Sequence, residues 1–155
     1  MSYPKAYRAF RRSAAPYPLS LVLSKETLPE ILNAHDVVIR IHAVSVNYRD
    51  VAMLYEGHYP LTVEEGGVAT SDCAAEVVAL GNEVKDFVIG DHVAPTIDPS
   101  RLKDANRDSE HLELGSIGPG VLREYAVFED QHLVKLPQYL SWEEVEIPKN
   151  RVNIE

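Results

Sequence analysis

Asp36-Val37-Val38-Ile39-Arg40-Ile41-His42-Ala43-Val44-Ser45-Val46-Asn47-Tyr48-Arg49-Asp50 is the stretch that decides the fold. Val37, Ile39, Ile41, Ala43 and Ser45 give one mostly apolar face. Val38, Arg40, His42, Val44 and Val46 give the other, which turns polar in its middle. Side chains alternate across a strand, and β-branched residues suit a pleated surface, so the pattern predicts a strand from Asp36 to Val46. Asn47-Tyr48-Arg49-Asp50 ends it, and Val51 to Tyr55 predicts a short helix stopped by Gly57. Asn47 is placed to cap that helix, with Asp50 in the first turn, where the helix dipole favours an anion.

Outward from this strand the same signals recur. Tyr7 to Phe10 and Leu19 to Leu23 predict strands separated by Ala14-Ala15-Pro16-Tyr17-Pro18, and Pro29 and Asn33 mark a turn. Val68 to Leu80 predicts a strand closed by Gly81-Asn82, and Phe87 to Ala94 a turn followed by a strand. Val121 to Phe128 and His132 to Leu136 predict two more. Many short strands with turn signals between them imply a β-barrel or a sandwich. Residues 98–114 are charged and polar and predict a solvated loop. Ser141-Trp142-Glu143-Glu144 is a capping box that announces a helix, and Pro148 interrupts it within a turn.

Composition bounds the function. The 155 residues suit one domain, with 45% hydrophobic and 25% charged residues, both ordinary for a globular chain. A net charge of -9 and a pI near 5.1 disfavour nucleic acid and anionic membrane as partners, because phosphate binding needs clustered cations. The single cysteine, Cys73, excludes an intrachain disulfide and a Cys-rich zinc site, and is expected to be a small buried residue. No apolar stretch reaches the ~20 residues of a membrane span. Met1-Ser2-Tyr3-Pro4-Lys5 lacks the apolar core of a signal peptide, so the expected location is cytoplasmic.

Five blocks, in order, resemble the medium-chain dehydrogenase/reductase family. They are Asp36 to Asp50; Ser71-Asp72-Cys73-Ala74-Ala75-Glu76-Val77-Val78-Ala79-Leu80-Gly81; Val88-Ile89-Gly90-Asp91-His92-Val93; Gly120-Val121-Leu122-Arg123-Glu124-Tyr125-Ala126-Val127; and Leu136-Pro137 to Ser141-Trp142-Glu143-Glu144. The likeness covers residues 5–144 and is strongest to the zinc-independent, quinone oxidoreductase-like branch and its fungal alcohol dehydrogenase-like relatives. It implies a mainly β fold: a GroES-like, partly open β-barrel with short helices, without the Rossmann domain of the family. The expected division is a GroES-like domain over 1–140 and a truncated linker or tail over 141–155.

The resemblance also assigns sites. Zinc-dependent members carry a Cys after the long strand and a His-Glu pair in the next block. This chain has Asn47 there, then Ser71 and Asp72, so no metal site and no zinc are expected. His35, His42, His58, His92, His111 and His132 show no ligand spacing, and each is expected to be a surface or half-buried residue. Asn47 and Asp50 are expected at the cleft, holding the nicotinamide ribose or the substrate; capping alone would also account for them. Tyr59, in Gly57-His58-Tyr59-Pro60, resembles an active-site tyrosine of quinone reductases, where a phenol would stabilise developing enolate charge. A loop aromatic packed on the barrel is the plain reading of the same residue. Tyr48 and Tyr55 are weaker candidates for substrate contact.

A dinucleotide site needs G-x-G-x-x-G between a strand and a helix. The only Gly-rich segment, Gly115-Ser116-Ile117-Gly118-Pro119-Gly120, has other spacing and a strand after it, and is read as a turn. The resemblance implies the substrate-side domain of an oxidoreductase that would use NADPH to reduce a quinone, enone or aldehyde, and without a dinucleotide motif the chain is expected to be inactive alone. The competing expectation is a non-enzymatic truncated isoform or interaction module, whose exposed apolar surface would favour self-association.

Overall fold

The computed structural model describes residues 3–97 and 113–146. The loop expected at 98–114 lies almost wholly outside the described residues, as do His111 and Pro148.

Two antiparallel sheets form the body. The first pairs β1 (Ala6–Arg12) with β2 (Leu21–Thr27). The second is five-stranded, in the order β6-β3-β4-β5-β7, where β3 is Asp36–Ser45, β4 Asp72–Leu80, β5 His92–Pro95, β6 Tyr125–Glu129 and β7 Leu133–Lys135. This sheet curls into the half-barrel of a GroES-like fold. Two short helices complete the described structure: α1 (Tyr48–Ala52) after β3 and α2 (Trp142–Glu146) after β7.

β3 is the longest strand and lies in the interior of the sheet. β3 pairs with both β4 and β6. Its first residues are buried on both faces. Val37 and Ile39 join the main core with Cys73, Val77, Val93, Leu114 and Val121, whereas Val38 joins a second core with Tyr7, Ala9, Leu28 and Val68. Arg40 breaks that burial and returns the second face to solvent. Cys73 is fully buried, as expected of a lone thiol.

Several boundaries differ from expectation. The helix covers Tyr48 to Ala52, earlier than Val51 to Tyr55, because the Asn47–Asp50 cap starts it directly at the strand end. The strand expected from Val68 begins only at Asp72, because Thr70 has φ 64, in the left-handed region that takes a residue out of a ladder. The strand expected from Val121 begins at Tyr125, since the Arg123 N–H turns back to the Val121 carbonyl at 2.7 Å. β2 runs from Leu21 to Thr27 rather than over Leu19 to Leu23, taking its register from β1, where Ala6 faces Thr27. β7 loses His132 to a 3-10 turn.

On its edge away from β2, β1 is held by the Phe10 N–H donating to the Leu122 carbonyl at 2.9 Å and the Arg12 N–H to the Gly67 carbonyl at 3.0 Å. The capping box at Ser141 forms, with the Ser141 N–H on Glu144 Oε2 at 2.9 Å and the Glu144 N–H on Ser141 Oγ at 3.3 Å. α2 packs against β3 and β4, and Trp142 lies between His42 and His92, with ring centroids 4.2 and 3.9 Å away.

Candidate functional site

The site is built where β3 ends and β4 begins. Ser45 faces Asp72 across the ladder, so Asn47, just beyond the strand, reaches the start of β4. Its Nδ2 donates to Asp72 Oδ2 at 2.8 Å, and Ser71 Oγ donates to the same oxygen at 2.9 Å. Asn47, Ser71 and Asp72 are thus one hydrogen-bonded node. Ser71 is fully buried and Asp72 half-buried.

α1 starts on that node. The Asn47 N–H donates to Asp50 Oδ2 at 2.8 Å, and the Asp50 N–H to the Asn47 carbonyl at 3.0 Å. Asp50 Oδ1 is buried with no hydrogen-bond partner. Burial raises the Asp50 carboxyl above its ordinary pKa; the bond from the Asn47 N–H and the charges of Arg49 and Arg12 oppose that.

Arg12 lies behind the helix, 3% exposed. Its guanidinium donates to the Gly115 carbonyl at 2.6 Å and to the Glu64 and Ser116 carbonyls at 3.3 Å each. Desolvation lowers its pKa, countered by Glu64 and Asp50. This buried cation ties the 113–118 turn to β1.

A second group forms beyond α1. The Tyr59 hydroxyl donates to Glu113 Oε2 at 3.2 Å. Arg49 reaches the same oxygen with Nη2 at 3.3 Å, gives Nη1 to the Leu114 carbonyl at 3.3 Å, and stands 5.7 Å from the Tyr59 ring centroid. Tyr48 is 83% exposed and Tyr55 47%. With Val46, Val51 and Leu61, also exposed, they make the surface around α1 apolar.

Of the expected residues, the structure joins Asn47 and Asp50 through the cap, and Asn47 to Asp72 and Ser71. Tyr59 stands with Arg49 and Glu113 instead, and Tyr48 and Tyr55 lie on the open surface. Arg12, Arg49 and Glu113 escape a sequence reading. Glu113 is 54 positions from Tyr59 and Gly115 is 103 from Arg12, so no local spacing links them. Alternation hides Arg12 as well, since it would put Arg11 rather than Arg12 on the inward face of Tyr7 and Ala9. Among the described residues no three His, Cys, Asp or Glu side chains gather as a metal site, and no helix is long and apolar enough to cross a membrane.

Comparison with known proteins agrees with this architecture. The alcohol dehydrogenase GroES-like domain family matches residues 33–138. The zinc-type alcohol dehydrogenase-like protein C1773.06c of Schizosaccharomyces pombe is 34% identical over 119 residues, which are 76% of this chain and 34% of that protein. An NAD-dependent alcohol dehydrogenase superposes with a TM-score of 0.73 at 26% identity, over 88% of this chain and 41% of its own. The quinone oxidoreductase of Pseudomonas syringae superposes with a TM-score of 0.60 at 25% identity, over 89% of this chain and 36% of its own. The chain therefore spans about a third of the length of the curated relative it matches. Through this GroES-like domain, the chain belongs to the medium-chain dehydrogenase/reductase family.

Proposed function

We propose that this chain is the substrate-side domain of a zinc-free, NADPH-dependent reductase of quinones, enones or aldehydes, in the cytoplasm, and that it does not turn over substrate alone. The observation that carries the zinc-free reading is the node at Asn47, Ser71 and Asp72. Zinc takes thiolate, imidazole or carboxylate ligands. The node offers an amide, a hydroxyl and one carboxylate, and one oxygen of that carboxylate already accepts two hydrogen bonds. This donor set does not fit a catalytic zinc.

The nicotinamide, when bound, supplies the hydride. This chain's residues position the acceptor. Asn47 and Asp50 fix the turn at the cleft, and the exposed Tyr48 and Tyr55 offer apolar surface for a ring or enone. The Tyr59 hydroxyl donates a hydrogen bond to Glu113 in the structure; to polarise a substrate carbonyl, it exchanges that acceptor for the substrate oxygen. Arg49, over the ring and bonded to Glu113, holds the tyrosine in place.

Titrating the purified chain with NADPH tests this reading. No saturable binding in the micromolar range and no reduction of an enone are expected; micromolar binding would overturn the proposal. The apolar surface around α1 favours a second reading, self-association through that face. Sedimentation showing a concentration-independent monomer that binds no apolar dye would count against it.

A further inference from the structure

A groove of about 330 Å³ lies between the β1–β2 hairpin and the C-terminal half of β3. Its walls are Phe10, Leu23, Ile41, Val44 and Leu122, and Arg8, His42, Arg123 and Glu124 give it polar groups. None of Asn47, Asp50, Tyr59 and Asp72 lines it, so it is separate from the site above.

The charges around this groove do not balance. Arg8 is neutralised by Glu124, which takes its Nε at 2.9 Å and its backbone N–H at 2.8 Å. Arg11 is neutralised by Glu26, at 2.7 and 3.1 Å. His42 holds Glu76 at 3.1 Å. Arg123 is left over: its Nε is buried and has no hydrogen-bond partner. Its charge is felt by the Glu26 carboxylate, which Arg11 and Ser24 already bind. Arg40 adds a further positive charge near Glu124. A chain with net charge -9 thus keeps an excess guanidinium beside an apolar groove. A buried donor without an acceptor is costly, and a planar guanidinium is matched by a carboxylate.

We infer that this groove binds an amphiphilic monoanion, a medium-length acyl carboxylate whose head group pairs with Arg123 and whose chain lies against Phe10, Leu23, Ile41, Val44 and Leu122. Of Arg123 and Arg40 only Arg123 lines the groove, and one cation at the wall suits a single negative charge. The volume is at the lower end of small-molecule sites, roughly 300–1,000 Å³, which suits a chain of moderate length.

Octanoate, octanol and octylammonium added separately to the full chain test the assignment by calorimetry and by amide NMR shifts. Octanoate is expected to saturate one site, to bind about tenfold more tightly than octanol through its charge-assisted pair, and to exceed octylammonium further. The shifted amides are expected at Leu23, Ala43, Leu122 and Arg123. Arg123→Gln should bring octanoate down to the octanol affinity while the circular dichroism spectrum is kept. If that variant does not fold, the shift map of the unaltered chain decides. Equal affinity for octanoate and octanol, no saturation, or shifts confined to 46–61 around α1 would each overturn the inference.

Discussion

Asp50 is the residue whose energetics and position disagree most. Its Oδ2 caps α1, yet Oδ1 is buried without a partner and burial holds the carboxyl above its ordinary pKa. A raised folded-state pKa means a contribution to stability that is full below the unfolded carboxyl pKa and lost as pH rises through the folded value. At neutral pH the Asp50 carboxylate therefore weighs against folding. Asp50→Asn keeps an acceptor for the Asn47 N–H and removes the charge. It should unfold at higher urea concentration than the unaltered chain at pH 7, with the advantage gone by about pH 3, where the carboxyl is protonated in both states. Urea titrations at the two pH values check this, and a variant weaker at pH 7 would show that the charge is compensated. Residues like this are half legible in sequence. The spacing of Asn47 and Asp50 predicts the cap, and the cap forms. That Asn47 also turns its amide to Asp72 is not legible, because the contact crosses 25 positions and depends on the β3–β4 register.

At the scale of elements, the alternation in β3 and the β-branched residues around it carry the fold, because a period of two survives any tertiary context that buries one face. Boundaries escape where backbone geometry overrides pattern. Thr70, with φ 64, cuts the strand expected from Val68, and nothing in its apolar neighbourhood announces that turn. The 113–118 turn sits on that same residue. Gly115 has φ +75, and a Cβ there would lie 2.5 Å from the Thr70 carbonyl oxygen. Gly115→Ala should cost about 2–4 kcal/mol, combining left-handed strain with a clash against backbone, measured by urea denaturation. A cost below about 1 kcal/mol would mean the turn moves freely off Thr70. α2 gives a second element-scale test. Trp142 is the only tryptophan; it stacks on His42 and meets the tilted ring of His92. Its fluorescence therefore reports whether the helix is part of the barrel. Thermal unfolding followed by tryptophan emission and by far-ultraviolet circular dichroism should give coincident transitions. Emission changing first would make α2 a separately melting segment.

At the scale of the molecule, the five ordered blocks are enough to place the chain in its family, and the GroES-like half-barrel follows. The site is only partly legible, because its chemistry depends on which long-range partners meet: Asn47 with Asp72, Tyr59 with Glu113, Arg12 with Gly115. The central proposal, that the hydrogen-bonded node of Asn47, Ser71 and Asp72 takes no zinc, has a direct measurement. The purified chain is equilibrated with equimolar zinc, dialysed, and its metal content read by plasma mass spectrometry, with Asp72→Ala alongside. The account predicts zinc far below one per chain and no difference between the two proteins. Zinc near one per chain, lost in Asp72→Ala, would contradict it.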